Sequence, residues 1–203
     1  MRVEILQELG PDDARLEIPW ASSGDPTRTY IDLKISPDRA ADFDECRSRP
    51  VLGSLLRAIN RPGSLLRTAK CDVWITHELA EDERWDFDFP LKVASYLDLL
   101  FDSTDLNSNL VEHVRLAEEI ERGMKETRLQ CQMDIAVRRC LFHPEENWGY
   151  YLTLFIHAYG ATESEAEMEW TLATLTLREV LDGLSRAPWK TKTSSAGSPI
   201  STR

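Results

Sequence analysis

The sequence lacks the short motifs that mark the common enzyme classes. It contains no G-x-x-x-x-G-K, no G-x-G-x-x-G, no H-E-x-x-H and no G-x-S-x-G. These absences remove the usual nucleotide-binding, zinc-protease and serine-hydrolase interpretations at the level of motifs. The missing motifs make an enzyme less expected, but they do not exclude one.

Long apolar runs and closely spaced cysteines are missing as well. Nowhere do eighteen apolar residues follow one another, so no membrane span is expected, and the segment 1–6 lacks the apolar core of a signal peptide. The four cysteines lie far apart and form no C-x-x-C pair. This spacing predicts reduced thiols in a cytoplasmic protein, and no cofactor is predicted.

Positive charge is scarce relative to negative charge. The 203 residues include 24 Lys and Arg against 35 Asp and Glu, which gives a formal net charge of −11. Such a balance argues against a nucleic-acid partner and favours a basic protein partner, because polyanions are repelled by an acidic surface. With 42% hydrophobic residues the chain is long enough to bury one core of its own.

Hydrophobic periodicity predicts a single α+β domain over residues 1–185 and a disordered tail over 186–203. Alternation of apolar and polar residues predicts a hairpin over 3–20, a third strand over 31–35, and two strand pairs over 65–101 and 129–160. Helical spacing predicts long amphipathic helices over 106–124 and 162–184, with shorter helical segments over 36–47 and 50–60. We therefore expect a largely antiparallel sheet of about seven strands, with the two long helices on one face. The strand, strand, helix order occurs twice, which suggests a repeated unit.

Charge is segregated along the chain. From Cys46 to Cys71 there are six basic residues and no acid, whereas the segment from Glu78 to Asp88 contains six acids and one arginine. The basic residues are Arg47, Arg49, Arg57, Arg61, Arg67 and Lys70. Such a segment can bind an anion, because guanidinium groups grip phosphate or carboxylate in bidentate fashion. The alternative is that the two segments neutralise each other, which predicts that Arg61, Arg67 and Lys70 lie near the acidic one.

The acidic segment is predicted to be a loop of about a dozen residues. Trp85, Phe87 and Phe89 alternate with Asp86 and Asp88, which gives the loop one apolar edge and one charged edge. The aromatic residues either anchor the loop to the core or contact a partner protein. Asp86 and Asp88 lack the ligand spacing and the glycine of a calcium loop, so no metal site is predicted there.

The last strand pair supplies the catalytic candidates. If the hairpin closes at Phe142 and Gly149, Asp134 faces His157 and Arg138 faces Thr153 on one sheet face. A shift of the strand register by one residue pair in either direction would leave the same side chains on each face but change which ones are opposite each other. A carboxylate beside a histidine would raise the histidine pKa and orient the ring for acid–base chemistry. The simpler interpretation is a cross-strand polar pair that contributes about 0.2–1 kcal/mol.

Two functional classes follow. The first is a non-enzymatic interaction protein, such as an adaptor, a chaperone-like protein or an inhibitor. It would bind a basic partner through Trp85, Asp86, Phe87 and Asp88 and an exposed sheet face. The second is an enzyme or ligand-binding domain in which Arg61, Arg67 and Lys70 hold a small anion beside Asp134, Arg138 and His157. Neither class excludes a homo-oligomer.

Overall fold

The computed structural model describes residues 1–21, 29–186 and 188–190, and within them it confirms an α+β fold with a mostly antiparallel sheet. The sheet has six strands, one fewer than expected: β1 Arg2–Glu8, β2 Arg15–Ile18, β3 Leu66–Thr76, β4 Leu91–Phe101, β5 Cys131–Phe142 and β6 Asn147–Gly160. A 3₁₀ helix, Pro37–Asp42, is followed by α1 Asp44–Ser48, α2 Pro50–Asn60, α3 Glu81–Phe87, α4 Thr104–Asn107, α5 Leu110–Lys125 and α6 Glu163–Arg186.

The strand order is β1-β5-β6-β4-β3, with β2 continuing along the β1 side of β5. The β3–β4, β4–β6 and β6–β5 pairs are antiparallel, whereas β1 and β2 both pair with β5 in parallel. The predicted hairpin over 3–20 is therefore wrong, because β1 and β2 do not pair with each other. Alternation identified the strands correctly, but it carries no information about which strand lies beside them.

The predicted third strand over 31–35 is also wrong. The carboxylate of Asp32 accepts a hydrogen bond from the backbone N–H of Lys34 at 2.9 Å, and the Asp32 carbonyl accepts one from Ile35. An aspartate side chain that bonds the backbone two residues later forms a turn. Ile35 consequently projects into solvent, with 80% of its surface exposed.

The long helices pack on one face of the sheet, where they contact each other and the strands. Helix α6 lies on β6 and β4, α5 lies on β1, β5 and β6, and α2 packs against β3 and α6. Trp170 of α6 is 1% exposed, and its indole N–H donates to the Ser95 hydroxyl of β4 at 2.8 Å. This face holds the main core, so the large polar side chains of the central strands project from the opposite face.

The chain remains in contact with the core beyond α6. The indole N–H of Trp189 donates to Glu112 Oε2 at 2.8 Å, and the Arg115 guanidinium lies 4.0 Å from the indole centroid. Trp189 also packs against Phe101, with ring centroids 5.6 Å apart. The expectation that nothing after Ser185 is tied to the core is therefore corrected at Trp189. The rest of the predicted tail, at 187 and 191–203, lies outside the described residues.

Candidate functional site

Among the described residues, the face of the sheet opposite the long helices is covered at its two ends and open between them. Helix α3 lies over one end, and Trp20, just after β2, lies over the other, where it reaches Ala69 of β3. Between them is a shallow trough, and the floor of this trough is formed by Tyr96 of β4 and Phe155 of β6, both half-buried. Because Trp74 is 41% exposed beside them, this surface combines aromatic area with access to solvent.

The first wall of the trough is α3, which is held on the sheet by Glu83. One carboxylate oxygen of Glu83 accepts hydrogen bonds from the Lys92 ammonium and, at 2.8 Å, from the Tyr159 hydroxyl. The other oxygen accepts from the backbone N–H of Ala80 at 2.8 Å. Phe87 stacks on Tyr159 with ring centroids 3.9 Å apart. A buried ion pair and a stacked ring thus fix this short helix in place.

The second wall is formed around Trp20. Its indole N–H donates to the Ala69 carbonyl at 2.8 Å, and the Lys70 ammonium lies 5.6 Å from the Trp20 ring and 5.8 Å from the Tyr96 ring. Beneath it is a small apolar cluster of Ile18, Ala69, Leu100, Cys140 and Tyr151. The lysine therefore contacts two aromatic faces at the edge of the floor.

The floor of the trough carries one cross-strand row of side chains. Strand pairing places Asp72 beside Tyr96, Tyr96 beside Phe155, Phe155 beside Asp134, and Asp134 beside Glu4. Read across five strands, the row is acid, aromatic, aromatic, acid, acid. The Tyr96 and Phe155 ring centroids are 6.4 Å apart, so the two rings form a continuous apolar surface between two carboxylates.

A buried carboxylate lies in the next row. Asp98 is 5% exposed and accepts a hydrogen bond from the Thr153 hydroxyl at 2.7 Å. Arg138 donates to the same hydroxyl at 3.3 Å and forms an ion pair with Glu8 at 2.6 Å. Burial raises the pKa of Asp98 to about 6, although the Thr153 hydrogen bond and the charge of Arg138 oppose the shift.

The predicted pairing of Asp134 with His157 is wrong. The observed register pairs Asp134 with Phe155 and His157 with Gln132. It differs from the predicted register by one of the shifts that leave the same side chains on each sheet face. The hairpin closes at Phe142 and Asn147 because Glu146, with φ 54°, takes the left-handed conformation that completes a four-residue turn.

The three catalytic candidates share a face but do not converge. Asp134 accepts from the Gln132 amide at 3.0 Å, whereas Arg138 is bound to Glu8 and His157 Nδ1 lies 3.3 Å from Glu83. Burial and the charge of Lys92 lower the pKa of His157, and they outweigh the attraction of Glu83. The expected rise of the histidine pKa is therefore wrong as well.

The predicted proximity of Arg61, Arg67 and Lys70 to the acidic segment is also wrong. Arg61 forms an ion pair with Asp182 at 3.0 Å, and Arg67 forms one with Asp32 at 2.8 Å. Strand β3 has 11 residues, with a bulge between Thr68 and Cys71, and extends about 35 Å, so its basic start and the acidic segment after its end lie far apart. Lys70, midway along β3, is the one of the three that reaches the trough.

The acidic segment contains a helix rather than forming a loop. Phe87 anchors α3 to Tyr159, whereas Trp85 is 87% exposed and Asp86 forms an ion pair with Arg2 of β1. Asp88 ends the helix in the left-handed conformation, with φ 51°. Of the two roles expected for the aromatic residues, Phe87 is the anchor and Trp85 is the side chain available to a partner.

Sequence reasoning missed Asp72, Trp74 and Tyr96. In β4 a signal was present, because the three large polar side chains, Lys92, Tyr96 and Asp98, all stand at even-numbered positions, and the small Ser95 is the one polar residue at an odd-numbered position. That period of two marks a second, less apolar face. No comparable signal links Asp72 to Phe155 or Asp134, since these residues meet only through the strand order.

Beside β3 the trough opens into a cavity of about 480 Å³, whose lining includes Trp20, Phe43, Lys70, Asp72 and Tyr96. Asp134, Arg138 and His157 do not line it. Among the described residues there is no group of three or more His, Cys, Asp or Glu able to hold a metal ion. The same residues include no helix with the length and apolar character needed to cross a bilayer.

Comparison of this chain with protein-family models, curated proteins and solved structures finds no match. The chemistry of the trough must therefore be argued from its own residues. The Glu83 carboxylate already accepts hydrogen bonds from the Lys92 ammonium, the Tyr159 hydroxyl and the Ala80 N–H. The trough presents a contact surface made of the Tyr96 and Phe155 rings, with the Trp74 ring beside them. The carboxylates of Asp72 and Asp134 lie on either side.

Proposed function

We propose that this chain is a non-enzymatic protein-interaction domain that binds a basic partner in the trough between α3 and Trp20. The observation that carries this proposal is the row in which Tyr96 and Phe155 lie between Asp72 and Asp134, on a sheet face that the described residues leave open. Aromatic side chains flanked by polar groups are typical of the centres of protein interfaces.

Charge supports a basic partner. The chain has a net charge of −11, and among the described residues neither Asp72 nor Asp134 forms an ion pair. Of the cations that reach the trough, Arg138 is paired with Glu8 and Lys92 with Glu83, whereas Lys70 contacts aromatic rings and forms no ion pair among the described residues. A basic segment would find unmatched carboxylates there, and attraction to the acidic chain would speed its encounter.

Trp85 adds an exposed aromatic side chain on the side of α3 that faces away from the sheet, because it lies two positions from both Glu83 and Phe87, which face the sheet. The helix is fixed by Glu83 and Phe87, so Trp85 is presented from a rigid element rather than from a loop. A rigid aromatic side chain loses little conformational entropy when a partner covers it. We place the interaction in the cytoplasm, in keeping with four cysteines that are all unpaired.

Site-specific photo-crosslinking in cells tests the proposal. A benzophenone amino acid in place of Trp74 or Trp85 should yield adducts with the same partner protein. The same group in place of Glu118, an exposed residue of α5 on the opposite side of the sheet, is the control and should yield none. The proposal fails if Trp74 and Trp85 give no adduct beyond that control, or if the only adduct is a second copy of this acidic chain.

A further inference from the structure

We infer that the trough recognises an extended segment with two basic side chains four residues apart and an apolar side chain midway between them. The segment would lie across β3, β4, β6 and β5, with its basic groups at Asp72 and Asp134. This inference rests on the proposed function and adds the chemistry and spacing of the partner.

The spacing follows from the row itself. Asp72 and Asp134 lie on β3 and β5, which are separated by the two strands that carry Tyr96 and Phe155. Neighbouring strands are about 4.8 Å apart, so the two carboxylates are about 14 Å apart along the row. An extended chain advances about 3.4 Å per residue, so four residues span the same distance.

The period of an extended chain also decides what lies between the basic residues. Side chains at positions one, three and five of such a segment point the same way, so all three would face the sheet. The middle one would rest on Tyr96 and Phe155, whose ring centroids are 6.4 Å apart. An apolar side chain fits there, since a polar one would lose its water without gaining a partner.

The two carboxylates have capacity for further hydrogen bonds. Asp72 accepts from the backbone N–H of Val73 at 2.7 Å, and Asp134 accepts from the Gln132 amide at 3.0 Å and 3.2 Å. A carboxylate offers about four acceptor positions, so each can also receive a guanidinium or ammonium group.

The protein's own cations show that the two rings of the floor accept positive charge. Arg138 lies 5.2 Å from the Phe155 centroid, and the Lys70 ammonium lies 5.8 Å from the Tyr96 centroid. Both approach from the side of the trough nearer Trp20. The side nearer α3 is bordered instead by Trp74, whose ring meets Tyr96 edge to face at 6.4 Å. Partner cations can therefore contact the rings as well as the carboxylates.

Two synthetic peptides of identical composition test the spacing. In one, two arginines are separated by serine, leucine and serine; in the other, the arginines are adjacent and precede the same three residues. Binding to the full chain is measured by NMR titration at low salt. We expect the spaced peptide to bind at least threefold more tightly and to shift the resonances of Tyr96 and Phe155. Equal affinities, or no binding of either peptide, would overturn the inference.

Charge-neutralising variants supply the second arm. Asp72→Asn and Asp134→Asn should each weaken the spaced peptide about two- to fivefold, the range of a solvent-accessible ion pair, and the double variant should bind both peptides equally. Glu118→Gln removes one exposed charge from the opposite side and should change nothing. If both aspartate variants bind like the wild type while Tyr96 and Phe155 still shift, the spacing is wrong but the binding face stands. Loss of the Trp74 and Trp85 crosslinks, by contrast, would reject the face itself.

Discussion

The ion pair between Glu83 and Lys92 decides whether α3 stays on the sheet, and this can be tested by removing one partner at a time. Glu83 is 6% exposed and Lys92 is 9% exposed. The carboxylate also accepts from the Tyr159 hydroxyl and from the N–H of Ala80. Glu83→Ala would leave the Lys92 ammonium buried without its anion.

Breaking a buried pair in this way costs about 3–5 kcal/mol of unfolding free energy. For a chain of this length, each kcal/mol corresponds to about 2–4 °C in Tm, so a loss of about 10 °C is expected. Replacing both partners, as in Glu83→Leu with Lys92→Met, should recover most of that loss, because no buried charge remains.

Guanidinium denaturation of the wild type, Glu83→Leu, Lys92→Met and their double variant measures these differences as one cycle, with Glu83→Ala measured beside it. The trough should also change, since Trp85 is presented only while α3 is docked. A loss below about 1 kcal/mol in Glu83→Ala, or a double variant that is worse than both singles, would refute the reasoning.

The acid stability of the docked helix follows from the same contacts. Burial alone would raise the pKa of Glu83, but the hydrogen bonds from Lys92, Ala80 and Tyr159 outweigh it and leave that pKa lowered. A carboxyl whose pKa is lower in the folded state stabilises the fold above its unfolded pKa. That contribution is lost as pH falls from about 4.5 through the folded value.

Three further predictions concern single side chains. Trp189→Ala should lower the free energy of unfolding by about 2 kcal/mol in chemical denaturation, because it removes a hydrogen bond to the buried Glu112 carboxylate. Truncation after Ser185 should lower it at least as much. Truncation after Lys190 keeps these contacts and serves as the control. Asp98→Asn should stabilise the protein by up to about 3 kcal/mol at pH 7, because burial raises the pKa of Asp98 to about 6. The Asp98 carboxyl stabilises the wild type below about pH 3.8, and this contribution is lost as pH rises through 6. The gain in denaturation midpoint should therefore vanish near pH 4, and a gain that persists there would contradict the assignment. Trp85→Ala should change Tm by no more than about 1 °C, since the side chain is 87% exposed, yet it should weaken partner binding; a large drop in Tm would show that Trp85 supports the fold.

The elements that sequence reasoning located best are those with long, regular patterns. The four long strands, α2 and α6 lie close to where the sequence patterns placed them, because each pattern extends over ten or more residues, whereas the helix predicted over 106–124 is divided into α4 and α5, which begins at Leu110. Helix α3 was missed because it has only seven residues and one apolar side chain, Phe87, directed at the sheet. The turn at Asp32 was missed because Tyr30 to Ile35 alternates like a strand, and the Asp32 side chain overrides that pattern.

The candidate site could be predicted only in its outline. The uncovered sheet face follows from alternation in β5 and β6, and the importance of the segment around Trp85 follows from its composition. The row from Asp72 to Glu4 joins residues from five strands that are remote in the sequence. This row depends on the order of the strands and on the register of the β5–β6 hairpin, which a shift of one residue pair would change. Local periodicity in the sequence determines neither of them.

A charge-swap experiment tests most directly the central claim that the cross-strand row of side chains binds a basic partner. Asp72→Lys with Asp134→Lys reverses both flanks of Tyr96 and Phe155 while leaving the floor intact. The measurement is the affinity of this variant for the spaced arginine peptide and for the same peptide with glutamate in place of both arginines. We predict that the variant binds the glutamate peptide and rejects the arginine peptide, the reverse of the wild type. If the variant keeps the preference of the wild type, the account of the trough is contradicted.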